Sequence, residues 1–108
     1  MTLDIVVRGG TVVDGSGARR FTADVGVKDG RIVEIGKVTT PAARTLDAAG
    51  LVVSPGFIDG HTHMDAQVNW DRQGTCSCWH GVTTVIMGNC GFALAPCPPD
   101  QREWFARC

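Results

Sequence analysis

The sequence has no run of basic residues, and its 10 basic residues nearly balance its 11 acidic ones. This balance gives no electrostatic field that would attract a nucleic acid or a membrane surface, so neither partner is indicated. No apolar run approaches the roughly 18 residues of a membrane-spanning helix, and the N-terminus lacks a basic segment followed by an apolar stretch. We therefore expect a cytoplasmic protein that acts on a small molecule.

The five cysteines show no spacing that predicts a structural site. They are an odd number, they crowd into the last third of the chain, and no two of them form a Cys-x-x-Cys pair. Neither a disulfide framework nor a structural zinc knuckle is therefore indicated. Four cysteines receive no function and are expected to be mostly buried thiols: Cys76, Cys78, Cys97 and Cys108.

The first half of the sequence has the pattern of short strands separated by tight turns. Strands are predicted over 4–8 and 11–13, with a turn at Gly9-Gly10 between them, and over 44–48. The strongest local signal is Asp29-Gly30, which supplies the positive φ angles of a two-residue type I′ hairpin turn. Four residues are expected on the buried side of this hairpin: Val25, Val27, Ile32 and Ile35.

A pair of histidines separated by one residue is the main functional signal. His61 and His63 follow the apolar segments 51–53 and 57–58, which predict a short buried strand. Alternate side chains of a strand share a face, so the two imidazoles are expected to converge on one metal ion. They lie at the C-terminal end of the strand, where the active sites of parallel α/β sheets collect. A chance pairing of two loop histidines is the competing interpretation.

The residues after the pair predict a second strand beside the first. A loop is expected over 64–71, a short helix over 76–80 with Thr75 or Ser77 as its N-cap, and a strand over 82–87. Strand, helix, strand is the order of a βαβ unit with parallel strands. Cys90 would then open onto the same edge as the histidines, and a thiolate with two imidazoles is a ligand set that suits zinc.

Each polar residue near this edge also has a structural interpretation. Cys90 alone is more often an inert buried thiol than a ligand. Asp59 shares a strand face with His61, and we expect it to support a histidine or backbone amides rather than to bind metal. Asp65 follows the pair and is a candidate substrate-binding residue, although a loop aspartate is commonly a turn former. His80 is expected at a helix C-terminus or on the surface.

Three segments together carry a family resemblance. Segment 53–63 reads Val-Ser-Pro-Gly-Phe-Ile-Asp-Gly-His-Thr-His, segment 63–67 reads His-Met-Asp-Ala-Gln, and segment 80–92 reads His-Gly-Val-Thr-Thr-Val-Ile-Met-Gly-Asn-Cys-Gly-Phe. The first resembles the signature of the amidohydrolase superfamily, and the other two are similar to the N-acyl-D-amino-acid deacylase (D-aminoacylase) family. In that family the cysteine that matches Cys90 is a zinc ligand, and the histidines that match His61 and His63 form the adjacent metal position.

The resemblance implies an α/β fold with a β-rich N-terminal part. Residues 1–54 would be N-terminal strands of a β-sandwich, and residues 55–108 would hold the first two strands of a metal-dependent (β/α)8 barrel, here incomplete. The implied reaction is zinc-dependent hydrolysis that removes the acyl group from N-acyl-D-amino acids. The family's catalytic aspartate and two further histidine ligands come from later strands. No catalytic residue is therefore assigned in this segment, and that aspartate is expected beyond residue 108.

A barrel of this kind needs about 250 residues, so this chain is expected to be the N-terminal piece of a longer enzyme. Alone it should be inactive, and its unpaired strand edges favour self-association or poor order after about residue 60. Other interpretations are a cyclic-amide hydrolase of dihydroorotase or hydantoinase type, a metal-free scaffold or interaction protein, and a folded binding module without catalysis. The cysteine after the second strand argues against the first, and the three ligand-type residues argue against the second.

Overall fold

The computed structural model describes residues 1–90, 97–105 and 107, and the chain divides into two compact units, Met1–Pro55 and Gly56–Cys108. Cys108 and the final Gly-Phe of the segment 80–92 lie outside the described residues. The described helices are four residues long or shorter, and none of them has the length to cross a membrane.

The first unit is built on one five-stranded sheet. Strand β1 is its centre, because β1 pairs antiparallel with β2 and parallel with both β4 and β5, while β3 extends the sheet beyond β2. The strands are β1 Leu3–Val12, β2 Phe21–Lys28, β3 Arg31–Gly36, β4 Ala42–Asp47 and β5 Val52–Val53. The predicted strand over 44–48 is confirmed as β4. The small core of the first unit consists of two clusters. One contains Leu3, Val6 and Val38, and the other contains Val12, Ala23 and Val25.

The turn predicted at Gly9-Gly10 is wrong, because both glycines lie inside the continuous strand β1. The pairing of β1 with β2 shifts register between Val7 and Gly10, and Gly9 has a φ of 67°. This is a β-bulge, in which a glycine at positive φ lets the strand continue after a local kink. The carboxylate of Asp24 accepts the Gly9 N–H at 2.9 Å and fixes the bulge.

The hairpin at Asp29-Gly30 is confirmed. Asp29 has a φ of 50° and Gly30 of 71°, the two positive values of a type I′ turn, and Lys28 pairs with Arg31 across it.

The predicted burial of the hairpin is only partly correct. Val25 is buried and Val27 is half-buried, but Ile32 is 62% exposed and Ile35 is 58% exposed. These isoleucines pair with Val27 and Val25 respectively, so the predicted face is right. They remain exposed because β3 is the edge strand of the sheet.

The second unit contains a pair of parallel strands joined by a helical connection. Its strands are β6 Phe57–Asp59 and β7 Val82–Val85, with α1 Met64–Gln67 and α2 Thr75–Cys78 between them; a 3-10 turn Pro99–Gln101 and α3 Arg102–Phe105 follow. The predicted strand–helix–strand order with parallel strands is therefore found. The apolar run before the histidines is not one buried strand, because β5 and β6 belong to different sheets and Phe57 is 62% exposed.

The connection between β6 and β7 differs locally from the prediction. The segment expected to be a loop begins with the helical turn α1, and the N-cap of α2 is Gly74 rather than Thr75 or Ser77. Asp71 takes the capping role instead. Its Oδ2 accepts a hydrogen bond from the backbone N–H of Thr75 at 2.7 Å and another from the Thr75 hydroxyl at 2.9 Å. Cys76 and Cys78 on α2 are exposed and Cys97 is half-buried, which corrects the expectation of buried thiols.

Candidate metal site

Two loops form the candidate site, one after β6 and one after β7. His61 and His63 lie in the first loop, and Cys90 lies in the second. Because β6 and β7 run parallel and pair directly, both loops leave the sheet at the same edge. This edge is the carboxyl end of the strands, where the side chains of α/β enzymes usually meet their ligands.

The structure brings one histidine and the cysteine together. The Sγ atom of Cys90 lies 3.2 Å from Nε2 of His63. In a tetrahedral zinc site with Zn–S of about 2.3 Å and Zn–N of about 2.1 Å, the sulfur and nitrogen ligands are about 3.6 Å apart. A thiol and an imidazole at nearly this separation, on half-buried and exposed residues respectively, fit two of the ligands of a zinc ion.

His61 is not part of this pair. Strand β6 ends at Asp59, so the histidines lie beyond the strand on which their common direction was predicted. Both histidines are exposed and Thr62 between them is buried, so their exposure still alternates as in a strand. Among the described residues, no group of three or more His, Cys, Asp or Glu side chains has the geometry of a metal site.

Two short side-chain contacts shape the histidine loop. The Oδ1 atom of Asp59 accepts the backbone N–H of His61 at 3.1 Å. Thr62 is only 7% exposed, and its hydroxyl accepts the backbone N–H of Met64 at 3.1 Å. Such contacts between a side chain and an amide two residues later are typical of Asx and Ser/Thr turns. Asp59 therefore contacts a backbone amide, one of the two roles expected for it.

Asp65 lies in the helical turn α1 rather than in the loop expected from the sequence. It is buried, with 9% exposure, and its Oδ2 accepts the backbone N–H of Gly88 at 3.0 Å. A second contact joins the same two loops, because Nδ2 of Asn89 donates to the carbonyl of Gly60 at 2.6 Å. Sequence reasoning missed Asn89, although its place beside Cys90 was a usable signal.

The other residues singled out from the sequence lie apart from this pair. His80 is exposed just after α2, at the surface position expected for it. Cys76 receives a hydrogen bond from Nε2 of Gln67 at 2.9 Å. This bond, helped by Ser77, holds the pKa of the Cys76 thiol below its usual value. Sequence reasoning gave Cys76 no function, and the described residues around it form no metal site.

Comparison with known proteins defines the class of this chain. Residues 44–107 match the model described as amidohydrolase family, and the chain belongs to that family. Residues 1–57 also match the model described as the N-terminal domain of the urease alpha-subunit. The resemblance carried by the three sequence segments is thereby confirmed.

The similar curated proteins include two deacylases of Alcaligenes xylosoxydans xylosoxydans. The chain is 49% identical to its D-aminoacylase over 94 residues, covering 86% of this chain and 19% of that protein. It is 45% identical to its N-acyl-D-glutamate deacylase over 103 residues, covering 89% of this chain and 20% of that protein. The chain thus spans about a fifth of the length of the curated relatives it matches.

A solved structure agrees with these similarities. The N-acyl-D-glutamate deacylase of Bordetella bronchiseptica, solved with zinc and a phosphonate inhibitor, matches with a TM-score of 0.84 and 44% identity. The match covers 93% of this chain and 21% of that one. The described fold is therefore the fold of the corresponding part of an amidohydrolase, and that relative contains a metal.

Proposed function

We propose that this chain supplies the first metal ligands of a zinc-dependent hydrolase that removes the acyl group from N-acyl-D-amino acids. The observation that carries the proposal is the 3.2 Å separation of Cys90 Sγ and His63 Nε2. Zinc is the metal that this pair of donor types suits. The substrate class is supported by the D-aminoacylase and the N-acyl-D-glutamate deacylase to which the chain is 49% and 45% identical.

We assign three ligands at this metal centre: His61, His63 and Cys90. Bound zinc supplies Lewis acidity, which polarises an amide carbonyl and generates a nucleophile at neutral pH. The chain's own contribution is to hold the Sγ and Nε2 atoms 3.2 Å apart at one edge of the β6–β7 pair. Asp59 holds the backbone of His61, and it is proposed as a support for that ligand rather than as a ligand itself.

The division of the chain is part of the same proposal. Residues 1–54 would contribute strands to a β-sandwich, and residues 55–108 would begin a (β/α)8 barrel. The parallel pairing of β6 with β7 through a helical connection supports the barrel assignment, because a barrel of this type repeats that unit. A catalytic aspartate would come from a later strand, and a cytoplasmic location stays a prediction.

A cyclic-amide hydrolase is the second candidate function. The D-hydantoinase of Ralstonia pickettii is 42% identical to this chain over 95 residues, which is 82% of this chain and 20% of that protein. Both reactions hydrolyse an amide carbonyl, so the distance between the ligands does not separate them, and the presence of Cys90 after the second strand is the feature that argues against the cyclic-amide hydrolase. We prefer the linear amide because the D-aminoacylase and the N-acyl-D-glutamate deacylase match at 49% and 45% identity, above the 42% of this hydantoinase.

The test compares the 108-residue chain with the natural reading frame that contains it, both purified and loaded with zinc. The substrates are N-acetyl-D-methionine, its L-enantiomer and a 5-monosubstituted hydantoin. We expect the natural protein to release free D-methionine and the 108-residue chain to show no turnover, because its described residues include no assigned proton-transfer residue and form no enclosed pocket at the candidate site. Turnover of the hydantoin alone would favour the second candidate. Absence of turnover on all three substrates would favour a scaffold or binding module.

A further inference from the structure

The loops that carry His63 and Cys90 are joined by a buried carboxylate. Asp65 lies two residues after His63, and its carboxylate accepts a hydrogen bond from the backbone N–H of Gly88. Gly88 lies two residues before Cys90. Asp65 is only 9% exposed, so water competes little for this hydrogen bond. A charged acceptor also makes a stronger hydrogen bond to a backbone amide than a neutral one does.

We propose that Asp65 is a positioning residue that holds Cys90 against His63. The inference rests on the proposed function only in taking these two residues as metal ligands. Gly88 has a φ of 83°, a conformation that a glycine adopts freely, so the loop after β7 needs an external contact to fix its direction. The Asp65 carboxylate provides that contact, and the bond from Asn89 to the Gly60 carbonyl provides a second one.

This role differs from the substrate contact considered for Asp65. A residue that binds substrate needs a side chain that the substrate can reach, whereas Asp65 is buried and its Oδ2 is engaged by Gly88. The side chain therefore acts on the reaction through the geometry of the ligands. Supports of this kind commonly change metal affinity by ten- to a hundredfold when they are removed.

The test uses three variants of the natural protein that contains this chain: Asp65→Ala, Asp65→Asn and Asp71→Ala. Asparagine keeps an oxygen that can accept the Gly88 N–H, whereas alanine removes it. Asp71→Ala is the matched control, because it also removes a carboxylate from the second unit. The Asp71 carboxylate caps α2 through Thr75 and has no hydrogen bond to Gly88 among the described residues. The amide resonances of residues 57–59 and 82–85 report whether the unit that contains the substitutions remains folded in each variant.

Two readouts separate the inference from the metal assignment. The first is the nuclear Overhauser effect between the Cys90 β-protons and the His63 ring in the metal-free protein. The second is Co²⁺ affinity, followed by the thiolate-to-cobalt charge-transfer band. We expect Asp65→Ala to lose the first signal and to weaken Co²⁺ binding about tenfold or more, and Asp65→Asn and Asp71→Ala to stay within about threefold of the unmodified protein.

The other outcomes distinguish the positioning role of Asp65 from the assignment of His63 and Cys90 as metal ligands. Loss of the Overhauser signal in Asp65→Ala, with no thiolate band in the unmodified protein, would support the positioning role and contradict the ligand assignment. An unchanged Overhauser signal in Asp65→Ala would overturn the positioning role. So would equal losses in Asp65→Asn or Asp71→Ala, since the effect would then not depend on the acceptor that Gly88 uses.

Discussion

The Sγ atom of Cys90 lies 3.2 Å from Nε2 of His63, although 27 positions separate the two residues along the chain. The contact is possible because β6 and β7 pair in parallel and deliver their following loops to one edge of the sheet. Each residue alone has an ordinary structural explanation. We propose that together they supply two of the four ligands of a tetrahedral zinc site.

Replacing Cys90 by alanine should weaken zinc binding by about tenfold or more, because water cannot replace a thiolate ligand without loss of affinity. Competition with a chromogenic chelator measures this affinity in the 108-residue chain and in the natural protein that contains it. Cys76→Ala is the control, since it removes an exposed thiol that is hydrogen-bonded to Gln67. Equal zinc affinity in the two variants would remove Cys90 from the metal centre.

Replacing Gly56 by alanine should disrupt the pairing of β6 with β7. A Cβ atom at this position would overlap the Cβ, Cγ2 and Oγ1 atoms of Thr83, closer than real Cβ atoms approach. Overpacking of this kind costs about 1–3 kcal/mol. Amide exchange of residues 57–59 and 82–85 should therefore accelerate in Gly56→Ala.

A second substitution tests the cause of that effect. Thr83→Ala removes two of the three closest atoms, so the double variant should exchange more slowly than Gly56→Ala alone. If the double variant exchanges as fast as the single variant, contact with Thr83 is not the source of the destabilisation.

Replacing Gly30 by valine should lower the free energy of unfolding by about 1–2 kcal/mol, because a β-branched residue must adopt the left-handed φ of 71° at this turn. No atom lies within 4 Å of a Cβ built at Gly30, so the cost is one of backbone conformation rather than of packing. Thermal melts measure it, with Asp29→Asn as control, since asparagine tolerates this conformation. A melting temperature that Gly30→Val leaves unchanged would contradict the turn assignment.

Protonation of Asp24 should destabilise the first unit in acid. The backbone amide of Gly9, followed by that of Val38 and the side chain of Arg8, holds the pKa of the Asp24 carboxyl below its usual value. The stabilisation is fully present above the unfolded pKa of about 3.9 and is lost as the pH falls through the lower folded pKa. The difference in unfolding free energy between the unmodified chain and Asp24→Asn should therefore shrink below about pH 4.

Urea titrations between neutral pH and about pH 2 measure this difference. A difference that stays constant over the whole range would mean that the Asp24 charge contributes nothing to the folded state.

The local turn and the order of the elements could be predicted from the residues alone. Asp29-Gly30 predicts its hairpin because a type I′ turn depends on the backbone freedom of two adjacent residues. Apolar segments on either side of a short helical segment likewise predict two parallel strands, and β6 and β7 confirm them. The residue types at the ends of these strands, an imidazole and a thiol, predict a metal site, and this site stays a prediction.

Through-space contacts decided what the residue pattern left open. Gly9-Gly10 has the composition of a turn, yet Asp24, 15 positions away, accepts the Gly9 N–H and keeps β1 continuous through a bulge. Ile32 and Ile35 lie opposite Val27 and Val25 because the pairing of β2 with β3 shifts register, but an edge strand leaves them exposed. The bond from Gly88 to Asp65 spans 23 positions, and local propensity does not encode a partner at that separation. Such contacts depend on the path of both loops in three dimensions, which follows from the pairing of the strands that precede them.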